Sequence, residues 1–173
     1  MERAELPRYT VEDYKHWEGD WELIEGIPYA GAPSPYGKHQ RISLLIAGQI
    51  EEQLEECFAY PALDWIVDWH TVVRPDLFVI CKRVDEHLKE PPEVVFEVVS
   101  KSTAFKDEKI KFSLYEREGV KYYALFYPEL GKARVFKLEG DKYKKIFDGE
   151  TGEIEFKTEC PFKVNLQKVW ERA

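Results

Sequence analysis

The spacing of hydrophobic positions in the first third of the chain predicts helices on either side of a hairpin. Residues 39–56, HQRISLLIAGQIEEQLEE, carry apolar side chains at helical intervals and predict one long amphipathic helix. Ahead of it, YTVEDYKHW predicts a short helix that Thr10 caps, with Asp13 at the third position after the cap. Between these two helices, WELIEGIPYAG has Gly26 between two short apolar runs, which predicts a two-stranded hairpin.

The middle of the chain changes to the period of two that is typical of strands. Residues 62–80, ALDWIVDWHTVVRPDLFVI, are rich in β-branched and aromatic residues, and Arg74-Pro75 predicts a bend just before Asp76. The next apolar run, EVVFEVVS, alternates so that Val95, Glu97 and Val99 share one face of a strand. Glu97 is therefore expected in mid-strand among valines.

The last third predicts one helix and then several strands. STAFKDEKIKFSLYEREGV reads as a helix that Ser102 or Thr103 caps and Gly119 ends. KYYALFYP predicts a strand, and residues 132–156 predict a hairpin or meander with turns at EGDK and DGETGE. Since no repeat or linker interrupts the chain, we expect residues 1–173 to form a single domain of the α/β class, with a central mixed sheet flanked by helices.

Composition narrows the class of protein. With 44% hydrophobic and 34% charged residues, the 173-residue chain is expected to fold around one core. No run reaches the about 18 apolar residues that a membrane span needs, so we expect a cytoplasmic protein with no membrane partner. The net charge of −8 excludes a protein that coats nucleic acid through an overall positive field, but the lysines of SKSTAFKDEKIKF leave local contact open.

The three cysteines are predicted to be reduced thiols. Cys57, Cys81 and Cys160 are odd in number and scattered, and they lack the C-x-x-C spacing of a zinc site.

Two carboxylates on consecutive apolar strands are the strongest sign of chemistry. If these strands pair, Asp76 and Glu97 converge at one edge of the sheet. Such a pair is tolerated in an apolar setting when one group is protonated, a cation intervenes or a divalent metal binds both. Mg²⁺ (or Mn²⁺) suits the pair, with the backbone carbonyl of Val98 as a further ligand, because it prefers oxygen donors.

A purely structural interpretation of the same residues stays open. Asp76 follows a proline and could cap a turn, while Glu97 could face solvent on an edge strand or pair with Arg74. Asp107 and Lys111 could be an ordinary surface pair at i and i+4.

The ordered set of motifs resembles the Uma-type family of restriction-endonuclease-like proteins in the PD-(D/E)XK nuclease superfamily. The motifs that carry the resemblance are Pro75-Asp76, the run Glu97-Val98-Val99-Ser100, Ser102-Thr103, then Asp107, Lys111, Tyr115 and Gly119 at four-residue intervals, and YYALFYP. The opening segments up to RIS are also similar to that family. The resemblance covers roughly residues 9–166. It implies a restriction-endonuclease-like core with Asp76 and Glu97 as Mg²⁺ ligands.

One departure from the superfamily pattern concerns the catalytic lysine. The superfamily usually places this lysine two residues after the glutamate, where Val99 stands here. Either catalysis is lost, or another lysine supplies the charge that stabilises the transition state at phosphate. Lys111 is the first substitute, on the helix face that also holds Asp107 and Tyr115, and Lys101 is the second.

The resemblance assigns weaker roles upstream. Glu25 is expected to reach the metal through a water, and His39, after the proline-containing loop, to contact phosphate or transfer a proton.

Two functions follow as expectations. The first is a Mg²⁺-dependent endonuclease that hydrolyses DNA phosphodiester bonds. The second is a catalytically inactive nuclease-fold module that binds nucleic acid or a protein partner, which Val99 favours. Because one site per chain must cut two strands, we also expect a homodimer with twofold symmetry.

Overall fold

The computed structural model describes residues 8–31 and 36–173, which form two larger sheets and a small hairpin with their helices. The helices are α1 (Val11–Tyr14), α2 (Gly37–Gln53), α3 (Lys111–Glu118) and α4 (Leu166–Arg172), and a π-helical turn (Lys106–Ile110) precedes α3. The strands are β1 (Trp21–Ile24), β2 (Ile27–Ala30), β3 (Phe58–Pro61), β4 (Trp65–Asp68), β5 (Thr71–Val73), β6 (Leu77–Ile80), β7 (Val94–Val98), β8 (Tyr122–Tyr127), β9 (Lys132–Glu139), β10 (Lys142–Gly149), β11 (Glu153–Phe156) and β12 (Phe162–Asn165).

The larger sheet contains six strands in the order β10-β9-β8-β7-β6-β3. Strands β7 and β8 run parallel, and the other neighbours run antiparallel. The parallel pair needs a crossover, and α3 with its π-helical turn supplies it. The predicted mixed sheet with flanking helices is confirmed.

Strand β7 separates two hydrophobic cores by its period of two. Phe96 belongs to the core on one face, which α2 covers with Ile42, Ile46 and Ile50. Val95 and Val99 belong to the core on the other face, against α3. The alternation predicted for this strand is confirmed, and Glu97 lies on the α3 side.

The smaller sheet has the order β2-β1-β5-β4 and contains the predicted hairpin. Gly26 turns this hairpin at φ 81°, and a Cβ there would lie 2.9 Å from the Cβ of Arg8. Both observations require glycine. The predicted cap of α1 is also present, because Thr10 and Asp13 form a capping box.

The bend at Arg74-Pro75 carries the chain from the smaller sheet to the larger one. Strand β5 ends at Val73 and β6 begins at Leu77. Asp76 therefore lies where the two sheets meet.

Three features differ from the sequence predictions or lie outside them. Cys57 and Cys81 form a disulfide, so the prediction of reduced thiols is wrong for this pair: β3 and β6 are antiparallel with Phe58 opposite Ile80, which puts the two cysteines side by side. Helix α4 was not predicted. The proline-containing loop before His39 falls partly on residues 32–35, outside the described residues.

No helix within the described parts of the chain is both long enough and apolar enough to cross a bilayer.

Candidate active site

Backbone hydrogen bonds between two adjacent strands hold the carboxylates of Asp76 and Glu97 next to each other. Leu77 pairs with Phe96 in the antiparallel register of β6 and β7, so Asp76 lies beside Glu97. The N–H of Asp76 donates to Glu97 Oε1 at 2.8 Å, and the N–H of Val98 donates to Asp76 Oδ2 at 2.7 Å. The two residues are 8% and 2% exposed, respectively. The structure brings the two predicted carboxylates together.

Lys111 reaches the carboxylate of Glu97 from the first turn of α3. Its Nζ lies 2.6 Å from Glu97 Oε2 and 2.6 Å from Glu22 Oε2. One turn further along α3, the hydroxyl of Tyr115 donates to the same Glu97 oxygen at 3.2 Å. Only 2% of the Lys111 side chain is exposed, so the surface-pair interpretation of this lysine is excluded.

Glu22 is a buried member of the site that the sequence analysis missed. Its carboxylate is fully buried and accepts from the backbone N–H of Arg74 at 2.7 Å and from Lys106 Nζ at 2.8 Å. The signal was present in WELI, where a glutamate stands between apolar neighbours in a short strand, as Glu97 does in β7.

His39 and Asp107 complete the cluster from two helices. The third residue of α2 is His39, and its Nε2 lies 2.9 Å from Asp76 Oδ1. The side chain of Asp107 is buried in the π-helical turn and, with Lys106 and Lys111, borders the small cavity that Asp76 and Glu97 also line. The π-helical turn thus gives the site Lys106 and Asp107, and α3, which follows it directly, gives Lys111.

Glu25 does not join this cluster. It occupies the turn between β1 and β2 at φ 51°, and its exposed carboxylate accepts from Arg117 Nη1 at 2.9 Å. On β1 itself, alternation turns Glu22 toward the site, so Glu22 takes the position near Lys111. Lys101 is exposed after the end of β7. The carbonyl of Val98 stays a predicted ligand.

In this site, burial disfavours the charged form of an ionisable group, whereas a neighbouring opposite charge favours it. Burial raises the pKa of Glu97 well above its usual value, against the pull of Lys111, and it raises the pKa of Asp107 to about 7. Burial also opposes ionisation of Glu22, but the ammonium groups of Lys111 and Lys106 outweigh it and lower that pKa. Although burial disfavours the ammonium form, Glu22 and Glu97 raise the pKa of Lys111, which stays charged.

The donor set fits a hard divalent cation. Four carboxyl groups, from Glu22, Asp76, Glu97 and Asp107, gather around the ammonium groups of Lys106 and Lys111. A bound dication would favour the ionised form of the two groups whose pKa burial raises, Glu97 and Asp107, and would balance the two excess negative charges. The cavity that Asp76, Glu97 and Asp107 line measures about 10 Å³, which is about the space that one water molecule or ion needs. Oxygen ligands from one or two carboxylates, with waters completing the shell, are what Mg²⁺ prefers.

Comparison with known proteins shows the family of the chain. Residues 11–159 match the Uma2 family, described as "Putative restriction endonuclease". A crystal structure of a "putative nuclease belonging to DUF820 from Anabaena variabilis ATCC 29413" superimposes with a TM-score of 0.73 at 16% sequence identity, over 94% of this chain and 97% of that chain. At this identity the likeness shows the fold. No curated protein matches the chain.

Proposed function

Because the chain belongs to the Uma2 family of restriction-endonuclease-like proteins, we propose that it is a Mg²⁺-dependent endonuclease that hydrolyses DNA phosphodiester bonds. The observation that carries this proposal is the convergence of Asp76, Glu97 and Lys111 from two strands and a helix into one buried cluster. A purely structural ion-pair network explains it less well, because the cluster buries more carboxyl groups than the two ammonium groups of Lys106 and Lys111 can neutralise, which is costly unless a further cation uses the excess.

Asp76 and Glu97 hold the metal in this proposal. Each uses one oxygen to accept a backbone N–H, which fixes the carboxylate plane. The second oxygens, Asp76 Oδ1 beside His39 and Glu97 Oε2 beside Lys111, are the ones that would meet the metal. Bound Mg²⁺ would supply a water of lowered pKa and polarise the phosphate. Mn²⁺ would serve in the same way, since it shares the preference for oxygen ligands.

Lys111 supplies the positive charge that opposes the charge developing on phosphate. Its ammonium is held between Glu22 and Glu97, so it needs little reorganisation when the reaction occurs. Val99, which stands at the usual lysine position, lies on the same side of β7 as Glu97. Lys111 on the helix therefore approaches Glu97 from the same side as a lysine at position 99 of the strand would.

His39 is the candidate for proton transfer in this proposal. Its Nε2 contacts Asp76 Oδ1 at 2.9 Å, next to the proposed metal ligands. An imidazole at this position can act as a general acid or base toward the reacting phosphate.

Calorimetric titration with Mg²⁺ and a plasmid-nicking assay test the proposal together. We expect wild type to bind Mg²⁺ and nick DNA, and Asp76→Asn and Glu97→Gln to lose both while staying folded by circular dichroism. Glu25→Gln is the matched control, because its exposed carboxylate lies outside the cluster, and it should behave as wild type.

Two results would overturn this function. One is nicking by Glu97→Gln at the wild-type rate, and the other is the absence of Mg²⁺ binding by folded wild type. The second result would favour the alternative, an inactive nuclease-fold module that binds nucleic acid or a protein, to which the loss of the strand lysine at Val99 already points.

A homodimer belongs to the same proposal. Each chain offers one site, and cleavage of both strands of a duplex suits two sites related by a twofold axis. Light scattering on the purified protein should give twice the mass of the 20.4 kDa chain. A monomer that cuts both strands in one binding event would contradict this arrangement.

A further inference from the structure

A second cluster of ligand-type side chains lies at the other end of β6. Cys57 precedes β3, Cys81 follows β6, and Cys160 lies in the connection between β11 and β12. The three Sγ atoms lie within 4.8 Å of one another. Cys57 and Cys81 share the disulfide, and Cys160 keeps a free thiol.

Two carboxylates extend this cluster. One oxygen each of Glu93 and Glu159 lies within 4.8 Å of the other and of Cys81 Sγ. The ammonium of Lys121 already contacts Glu93 at 3.0 Å, whereas Glu159 is exposed next to Cys160. A disulfide uses only two sulfurs, so it gives no reason for a third thiol and an acidic group to gather here.

We propose that Cys57, Cys81 and Cys160, with the carboxylate of Glu159 in the fourth position, form a binding site for Zn²⁺ once the disulfide is reduced. A dithiol reductant supplies the two electrons and two protons that convert the disulfide into two thiols and is itself oxidised to a disulfide. Zn²⁺ then displaces the protons of all three thiols. This site is separate from the proposed nuclease centre and does not depend on it.

The spacing agrees with tetrahedral coordination. Zinc–sulfur bonds of about 2.3 Å place neighbouring sulfurs roughly 3.8 Å apart, which is within the 4.8 Å that encloses the three Sγ atoms. Cys57 and Cys81 flank the paired residues Phe58 and Ile80 of adjacent strands, so the strand pairing keeps the two side chains neighbours after the covalent bond is gone.

Ligand chemistry separates this site from the Asp76 site. Thiolates favour Zn²⁺ over Mg²⁺, whereas an all-oxygen site favours the harder cation. Asp76 and Cys81 flank the four residues of β6, so roughly 16 Å of strand lies between them. One ion cannot occupy both sites.

Cobalt substitution tests the proposal with a signal that oxygen ligands do not produce. Reduced wild type titrated with Co²⁺ should develop the ultraviolet charge-transfer absorption of cobalt–thiolate bonds, at an intensity that corresponds to one thiolate-bound Co²⁺ per chain, and Zn²⁺ should abolish it. We expect Cys160→Ser to weaken Co²⁺ binding at this site at least about tenfold, since even outer-shell substitutions cost that much. Asp76→Asn should keep the full absorption, which separates this test from that of the nuclease.

The carboxylate has its own matched control. Glu159→Gln should weaken Co²⁺ binding, and Glu150→Gln, an exposed glutamate outside the cluster, should leave it unchanged. Reduction is verified by alkylation of all three thiols and intact mass.

Three results would overturn the proposal. These are no charge-transfer absorption in folded wild type whose three thiols are free, equal absorption and affinity in Cys160→Ser, and a disulfide that cannot be reduced while the chain stays folded.

Discussion

Removal of the Lys111 ammonium should destabilise the metal-free protein more than removal of any other single charge in the site. Lys111→Met keeps most of the side-chain volume but leaves Glu97 Oε2 and Glu22 Oε2 without the ammonium that each meets at 2.6 Å. Removing one partner of a buried ion pair costs about 3–5 kcal/mol. For a domain of this size, where 1 kcal/mol shifts Tm by about 2–4 °C, the fall in Tm is roughly 6–20 °C.

Urea denaturation followed by circular dichroism at pH 7 in EDTA measures the loss. Lys106→Met is the matched control, because its ammonium is 11% exposed and contacts only Glu22 among the site carboxylates described. We expect this control to lose clearly less free energy of unfolding than Lys111→Met.

A double-mutant cycle decides whether the ion pair is the cause. In the Lys111→Met background, Glu97→Gln removes the carboxylate left unpaired, so it should cost much less than in wild type or restore stability. The reasoning is refuted if the two substitutions are additive, or if Lys111→Met stays within about 1 kcal/mol of wild type, the loss typical of an exposed pair.

Three further predictions concern neighbours of that lysine. Burial raises the pKa of Asp107 to about 7, so the contribution of its protonated carboxyl group to stability is full below pH 4 and lost as the pH rises through 7. The free energy of unfolding of wild type relative to Asp107→Asn, measured by urea titration, should therefore fall over this range. A difference that stays constant with pH would contradict this prediction. Tyr115→Phe should lower the free energy of unfolding by about 1–2 kcal/mol through loss of the hydrogen bond to Glu97, and an unchanged urea midpoint would contradict this. Glu22→Gln should lower Tm by several degrees, whereas exposed Glu25→Gln should change stability by less than about 0.5 kcal/mol; equal melting temperatures would remove Glu22 from the site.

The part of the fold that could be predicted from the sequence is the part fixed by local pattern. Alternation along EVVFEVVS assigned each residue of β7 to the correct face, and helical spacing located α2. Glycines at positive φ ended elements where expected, at Gly26 and Gly119. These features depend on neighbours a few residues apart, which a sequence displays directly.

Contacts that depend on the pairing of distant strands could not be predicted. Glu22 belongs to the site because β1 pairs with β5, with Leu23 opposite Val72, 49 positions along the chain. The disulfide likewise depends on the register of β3 and β6 rather than on cysteine spacing. The family resemblance assigned the upstream role to Glu25, whereas the glutamate inside an apolar strand, Glu22, is the more informative signal.

The origin of the lysine matters less to the chemistry than the position of its charge. A strand lysine at 99 would share the face of Glu97 by the period of two, whereas Lys111 comes from a helix that the π-helical turn precedes. The helix gives this ammonium two carboxylate contacts, to Glu97 on one sheet and Glu22 on the other. Lys111 therefore connects the two sheets across the cavity that Asp76 lines, so the charge that the proposed reaction needs also holds together the walls of the site.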